Sequence, residues 1–253
     1  MNLIVFESNA LSDGNLLTLC GERARHLYEI KHVRSGARLL VGERNGKRGS
    51  GLVESADPDR VVLKITLDAS ATKASPTILC LALPRPQMLK RILQTVAMFS
   101  LEHVFLIGSD KVEKSYISSP LLKSEGLHEQ LLLGLEQGMQ THCPKVSIVP
   151  RFSNFLKACE ADFPRARRLC AEQRSQQSLA DLAPAGIDSA QRVLLAVGPE
   201  GGWTDREREQ LSTANFESFT IGDRVLRVET AVSCLLGQLE LLRSLSGSKS
   251  GRA

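Results

Sequence analysis

The rhythm of apolar and polar positions changes near residue 70. Before it the apolar runs are short: Leu3–Phe6, Leu16–Leu19, Arg38–Val41, Ser50–Ser55 and Val61–Leu67. Runs of that length between Gly, Asn, Asp and Ser predict strands. Glu22–Ile30 predicts one helix, and Asn45-Gly46 a hairpin turn. Residues 69–76 are Ala-Ser-Ala-Thr-Lys-Ala-Ser-Pro, a small-residue polar stretch that reads as a linker. The expected division is a small β-barrel-like domain over 1–70, a linker over 71–76, a larger domain over 77–246, and a frayed tail over 247–253, within a Ser-, Gly- and basic-rich end that begins at Ser244.

Beyond the linker, strand and helix patterns alternate. Thr77–Leu83, His103–Ile107, Val146–Val149, Arg168–Ala171 and Val193–Val197 read as strands. Gln87–Ser100, Leu121–Met139 and Phe152–Ala158 read as helices between them. Met88, Leu89, Ile92, Leu93, Val96 and Phe99 recur on one side of the first, which marks a core face. Val232, Leu235, Leu236, Leu239 and Leu242 make a last amphipathic helix. Such alternation predicts an α/β fold with a mostly parallel sheet covered by helices.

Two strand–loop–helix passages in the last third carry the candidate chemistry. Val193–Val197 runs into Gly198-Pro199-Glu200-Gly201-Gly202. Thr204 and Glu207 then form a capping-box signature for a helix. Glycines at the C-terminal edge of a sheet let a flat ligand lie against bare backbone. The loop is neither Gly-x-Gly-x-x-Gly nor a Walker sequence. Glu200 within it would repel a phosphate, so a phosphate-free and preferably cationic cofactor fits better. The second passage runs from Phe219 through Gly222 to Thr230 and brings Arg224, Arg227 and Glu229 onto a loop. By themselves, these passages could equally be a tight turn and a solvated charged loop.

Composition narrows the class only slightly. The chain has 253 residues, 42% hydrophobic and 24% charged, with a formal net charge of +4. That is an ordinary globular balance and does not identify a nucleic-acid binder. The distribution is more telling. Arg23, Arg25, Lys31, Arg34, Arg38, Arg44, Lys47 and Arg48 fall in one stretch with His26 and His32, opposed only by Glu29 and Glu43. Such a cluster could neutralise phosphates or could be a solvated face. Cysteines at 20, 80, 143, 159, 170 and 234 form no Cys-x-x-Cys pair and read as reduced, mostly buried thiols of an intracellular protein. The N-terminus lacks a signal-peptide pattern, and no apolar run is long enough to span a membrane.

Taken in order, the two passages resemble the SPOUT superfamily of RNA methyltransferases, and within it the 16S rRNA uracil-N3 methyltransferase family. The matching segments are Gly198–Gly202 and Ile221-Gly222-Asp223-Arg224-Val225-Leu226-Arg227-Val228-Glu229-Thr230-Ala231. His26, Ser109-Asp110-Lys111 and Glu136-Gln137 with Pro144 match weaker segments. Thr95, Met98, Gln140 and Lys31-His32 depart from the pattern. The resemblance implies a C-terminal trefoil knot, a preceding PUA-like RNA-binding barrel, and a cytoplasmic homodimer packed through the knotted region. It implies S-adenosylmethionine as cofactor, 16S rRNA or the small subunit as partner, and no metal.

The cofactor residues so implied are Leu195, Val197, Gly198, Pro199, Glu200, Gly201, Gly202, Ile221, Gly222, Val225, Leu226 and Thr230. Arg227, Arg224 and Glu229 are the implied catalytic residues, the arginines for charge developing on uracil and Glu229 or Glu200 as base. Glu229 could instead merely cap its helix. Arg23, Arg25, His26, Lys31, Arg34, Lys47 and Lys111 are the implied RNA contacts. Three other readings stay open: a SPOUT enzyme acting on another base or a ribose 2′-hydroxyl, a non-catalytic RNA-binding assembly module, and an α/β enzyme for another nucleotide.

Overall fold

Two six-stranded sheets follow one another along the chain. A computed structural model describes residues 2–182 and 187–250, without the side chains of 247–250. The first sheet holds β1 (Ile4–Phe6), β2 (Leu11–Ser12), β3 (Leu16–Cys20), β4 (Arg38–Glu43), β5 (Arg48–Ala56) and β6 (Arg60–Ala69). Its order is β1-β4-β5-β6-β3-β2. β1 and β4 are parallel and the other described pairs antiparallel. Alternate residues such as Leu17, Leu19, Val41, Val53, Leu63 and Ile65 turn inward. They pack on Ala24 and Leu27 of a helical segment, α1 (Glu22–Arg25) widening into a π turn over His26–Ile30. The Asn45-Gly46 hairpin forms as expected, with Asn45 at φ 58°.

The second sheet holds β7 (Ser75–Ala82), β8 (Leu101–Ile107), β9 (Lys145–Val149), β10 (Arg167–Ala171), β11 (Val193–Val197) and β12 (Glu217–Phe219), in the order β12-β10-β11-β7-β8-β9. Every described pair in it is parallel. Its helices are α2 (Pro86–Met98), α3 (Lys114–Ile117), α4 (Ser124–Gly138), α5 (Phe152–Asp162), α6 (Leu179–Leu182), α7 (Asp205–Thr213) and α8 (Val228–Ser250).

Both faces of this sheet are covered. Leu195 and Val197 share a core with Leu89 and Leu93 of α2, Leu135 of α4, and Val232, Leu235 and Leu239 of α8. Leu194 and Ala196 share the opposite core with Phe155 of α5 and Leu211 of α7. A strand buried on both faces must read as a continuous apolar run, as β11 does. None of the described helices is long and apolar enough to cross a membrane.

Several expectations change. The helix expected over Leu121–Met139 is a 3-10 turn at Pro120–Leu122 followed by α4, which ends with Met139 left-handed at φ 55°. The expected frayed end from Ser244 is instead helical through Ser250, and residues 251–253 lie outside the described ones. Two contacts tie the helix down as far as Ser246. Arg243 is 5% exposed and donates to the carbonyls of Asp188, Gln191 and Pro76. Ser246 Oγ accepts from the Ile187 amide. Of the cysteines, all free, Cys80, Cys159 and Cys170 are buried, whereas Cys20 and Cys234 are exposed.

The linker separates the sheets but not their cores. Leu3 and Val5 pack in the core of the second sheet. The Glu136 carbonyl accepts from the Asn2 and Leu3 amides, and its carboxylate accepts from the Val5 amide and from Arg23 at 2.6 Å. Within the linker, Thr72 Oγ1 accepts from the Thr141 and His142 amides. Composition signals an exposed linker but cannot reveal that its hydroxyl satisfies two otherwise unpaired donors.

Candidate active site

β10, β11 and β12 are parallel neighbours, so their C-terminal ends open on one edge of the sheet, where α/β proteins carry ligands. Each strand leaves a different kind of loop there. β10 ends in Glu172-Gln173-Arg174, β11 in the Gly198–Gly202 turn, and β12 in Thr220-Ile221-Gly222 and the charged passage before α8. These loops and the first turns of α8 enclose a cavity of about 300 Å³. That lies at the small end of the range for ligand sites.

Val197, Gly198, Pro199, Glu200, Gly201, Gly202, Ile221, Gly222, Val225 and Leu226 all line it, as does Arg224. The two passages, about twenty residues apart in sequence, therefore share one wall. Gly202 (φ +66°) and Gly222 (φ +119°) have backbone conformations that L side chains rarely adopt, and open space lies where a Cβ would stand. Gly198 packs against the Trp203 ring, and a Cβ at Gly198 would stand only 3.2 Å from its Cε2. The cradle is thus bare backbone flanked by apolar side chains.

Other residues expected at the site lie elsewhere. Leu195 is fully buried within the helix-covered core, because it lies two residues short of the end of β11, on the same face as Val197. Thr230 is exposed on α8 and outside the cavity wall. Arg227 is exposed and Glu229 half-buried, both beside the wall rather than in it. Neither Arg224 nor Arg227 has an ion-pair partner among the described residues. The Glu200 carboxylate accepts from the Arg85 amide at 3.3 Å.

The basic stretch of the first sheet also divides. Arg23 is engaged by Glu136 and the Val5 carbonyl, so it is a junction residue rather than a free phosphate contact. Arg34 donates to the Tyr28 and Val33 carbonyls and stacks 4.0 Å over the Tyr28 ring. Arg44 pairs with Glu7 at 2.6 Å. His26 is half-buried. Arg25, Lys31 and Lys47 are exposed and carry no ion pair among the described residues. Lys111, grouped by sequence with the RNA contacts, lines the cavity instead, and its Nζ donates to the Gly201 carbonyl at 2.7 Å.

Lys111 is held there by the helix cap beside it. The capping box of α7 forms as expected from Thr204 and Glu207. Glu207 is 1% exposed, and its second oxygen accepts from the Asp110 amide at 2.9 Å. Burial pushes this carboxyl up, but the Thr204 and Asp110 amides outweigh it, and its pKa stays below the usual value. Ionised at neutral pH, Glu207 ties the glycine loop to the loop after β8. Sequence finds the cap but not this second bond, which joins segments 97 residues apart.

Sequence reasoning also missed the β10 end. Glu172, Gln173, Arg174 and Arg208 line the cavity together with Phe219, Thr220, Val228, Ala231 and Leu235. The available signal was a third apolar strand, Arg168–Ala171, stopping in polar residues. Lys111, Arg174, Arg208 and Arg224 now stand against Glu172 and Glu200, so wall charge does not by itself select a cationic ligand. Shape and backbone do more.

Thr95 and Gln140, which depart from the family pattern, lie outside this cavity. Thr95 Oγ1 donates to the Arg91 carbonyl, and Gln140 bonds Ser100 and the Gly138 carbonyl.

Residues 72–240 match the model of the RNA methyltransferase domain family. The chain is similar to the ribosomal RNA small subunit methyltransferase E of Treponema pallidum, 28% identical over 233 residues, which span 91% of this chain and 87% of that protein. It is similar also to the ribosomal RNA small subunit methyltransferase E 1 of Borreliella burgdorferi, 26% identical over 231 residues, 91% of this chain and 94% of that one. In fold it is similar to a ribosomal RNA small subunit methyltransferase E from Neisseria gonorrhoeae bound to S-adenosyl methionine, with TM-score 0.77, 21% identity and coverage of 96% and 98% of the two chains. The matched region holds the whole second sheet and both glycine turns, and the chain belongs to the RNA methyltransferase domain family.

Proposed function

We propose that this chain is an S-adenosylmethionine-dependent methyltransferase of small-subunit ribosomal RNA, acting at N3 of a uridine. The observation that carries the reading is the meeting of both glycine turns on one cavity. The names borne by the T. pallidum and B. burgdorferi relatives support the RNA target. The S-adenosyl methionine bound by the N. gonorrhoeae protein supports the cofactor. The residues present fit that cofactor: open space at Gly202 and Gly222 admits a flat base, and Val197, Ile221 and Leu226 offer apolar contact.

S-adenosylmethionine, when bound, supplies an electrophilic methyl group on a sulfonium. The chain's own residues must then prepare the uracil. N3 carries a proton that has to leave before or during attack. Arg227 and Arg224, free of ion-pair partners among the described residues, stabilise negative charge developing on the uracil carbonyl oxygens. Glu229 is the proposed proton acceptor. Glu200 is less suited, since its carboxylate already serves the Arg85 amide.

The first sheet is the proposed PUA-like RNA-binding barrel, with Arg25, Lys31 and Lys47 as phosphate contacts. A trefoil knot is supported by the β10–β11 connection. It bonds the segment before α8 through the Gln177 carbonyl and the Leu179 amide, and α8 itself through Arg243. A homodimer through this region is supported by Leu241 and Leu245, exposed one turn apart on α8. The proposed setting is the cytoplasm.

The test is incubation with labelled methyl donor and, separately, 30S subunits, 16S rRNA and tRNA. Label in 16S rRNA or the subunit is expected. Label only in tRNA, or none, contradicts the proposal.

A further inference from the structure

The Glu172 carboxylate stands at the end of β10, apart from the proposed catalytic residues and from the glycine cradle. Glu172 follows the last residue of β10, and its amide donates to the Phe219 carbonyl at 2.8 Å. That bond extends the β10–β12 pairing and fixes where the side chain starts. The side chain is 14% exposed, and the residue lines the cavity. Glu172 Oε2 is buried, 3.3 Å from Arg208 Nε, yet has no hydrogen-bond partner of good geometry among the described residues. A buried carboxylate oxygen left in that state is costly unless a donor reaches the carboxylate.

Arg208 is itself fixed. Its Nη1 donates to the Trp203 carbonyl at 2.6 Å and to Asp205 at 3.2 Å. Arg208 therefore spans the end of the glycine loop and the end of β10, and it holds Glu172 at the cavity wall. Its charge balances the carboxylate, so the pair presents little net field to a cation. What remains to offer a ligand is acceptor capacity. Hydroxyl groups match that offer, and two adjacent hydroxyls on one ring match a carboxylate's two oxygens.

We infer that Glu172, held by Arg208, is the residue of this cavity that accepts hydrogen bonds from the ribose hydroxyls of an adenosyl cofactor. The inference rests on the cofactor proposed above and adds a residue to it. Glu172 is a binding residue in this role. It touches neither the methyl group nor the base that receives it.

The test uses the intact protein and the unreactive product, S-adenosylhomocysteine, with its 2′-deoxy and 3′-deoxy analogues as probes in calorimetry. Wild type should bind the parent about tenfold to a hundredfold tighter than at least one deoxy analogue, the size of a lost bond to a charged group. Glu172→Gln should bind parent and analogues within about twofold of one another, because the carboxylate's paired acceptors are gone. Arg208→Met keeps the Glu172 carboxylate but removes the group that holds it, and should retain at least part of the discrimination while lowering affinity for all three. Discrimination surviving in Glu172→Gln would overturn the inference, as would its absence in wild type. Loss of discrimination in Arg208→Met with unchanged discrimination in Glu172→Gln would make the pair purely structural. Failure of wild type to bind S-adenosylhomocysteine at all would instead overturn the cofactor reading beneath it.

Discussion

Arg23 and Arg227 look alike in sequence, each with a second arginine within three residues, yet they stand in opposite conditions. Arg23 is pinned between the Glu136 carboxylate and the Val5 carbonyl where the two sheets join. Arg227 is exposed on the loop into α8. The same contrast separates their surroundings. At the junction Arg23 Nη2 meets two acceptors within the chain, while its Nε has none among the described residues. At the strand ends, Gly202 and Gly222 leave open space, and Arg224 and Arg227 lack ion-pair partners among the described residues. A satisfied arginine is part of the fold, whereas an unsatisfied one beside a cavity is available to a ligand. Local sequence cannot separate the two, because what decides it is a carboxylate 113 residues away.

Four sets of changes should break or sharpen this contrast. The largest effect is expected from Arg227→Ala. Its methylation rate should fall about a hundredfold or more with only modest loss of cofactor affinity, since the charge it meets appears during transfer. Steady-state kinetics beside calorimetry separates the two. Glu229→Gln, assayed in parallel, should stay folded and lose most turnover, with partial recovery at high pH where uracil ionises unaided. Full activity in that variant would reduce Glu229 to a helix cap.

Next comes Gly222→Val. It forces a branched side chain onto φ +119° and into the cavity. Cofactor affinity should drop about tenfold to a hundredfold, in keeping with the strain of such a backbone position. Trp203 is the chain's only tryptophan and lines the cavity, so its emission can report the titration.

A smaller effect is expected on RNA. Charge removal at Arg25, Lys31 or Lys47 should each reduce the slope of log affinity against log salt by about 0.7–0.9. Arg23→Met and Arg44→Met should lower stability and leave that slope alone. If the tied arginines flatten the slope as much as the exposed ones, the contrast fails.

The smallest effect concerns pH. Burial raises the Glu136 carboxyl above its usual pKa, and Arg23 offsets only part of the rise. The folded state then holds this proton more tightly than the unfolded chain. Stability should fall as pH rises from the usual carboxylate value through the raised one. Glu136→Gln should lose that slope in urea denaturation series at stepped pH.

Much of the fold was legible because burial on both faces leaves a plain record. β11 is five apolar residues, and α2 repeats its apolar positions every third or fourth residue. The glycine passages were legible for a related reason: few other residues tolerate their backbone. Three features were not. The anchoring of α8 depends on Arg243 reaching carbonyls more than fifty residues back. The role of Leu3 and Val5 in the second core depends on a strand returning to α4. Lys111 faces the glycine loop because Glu207, across the edge of the sheet, holds its neighbour's amide. Each is a long-range partner, and periodicity carries no information about partners.

The most direct measurement is nucleoside analysis by mass spectrometry of small-subunit rRNA methylated in vitro by the intact protein and by Arg227→Ala. The account predicts 3-methyluridine from the wild type and about a hundredfold less from the variant at equal exposure. A 2′-O-methylated nucleoside as the product, or equal 3-methyluridine from both proteins, would contradict it.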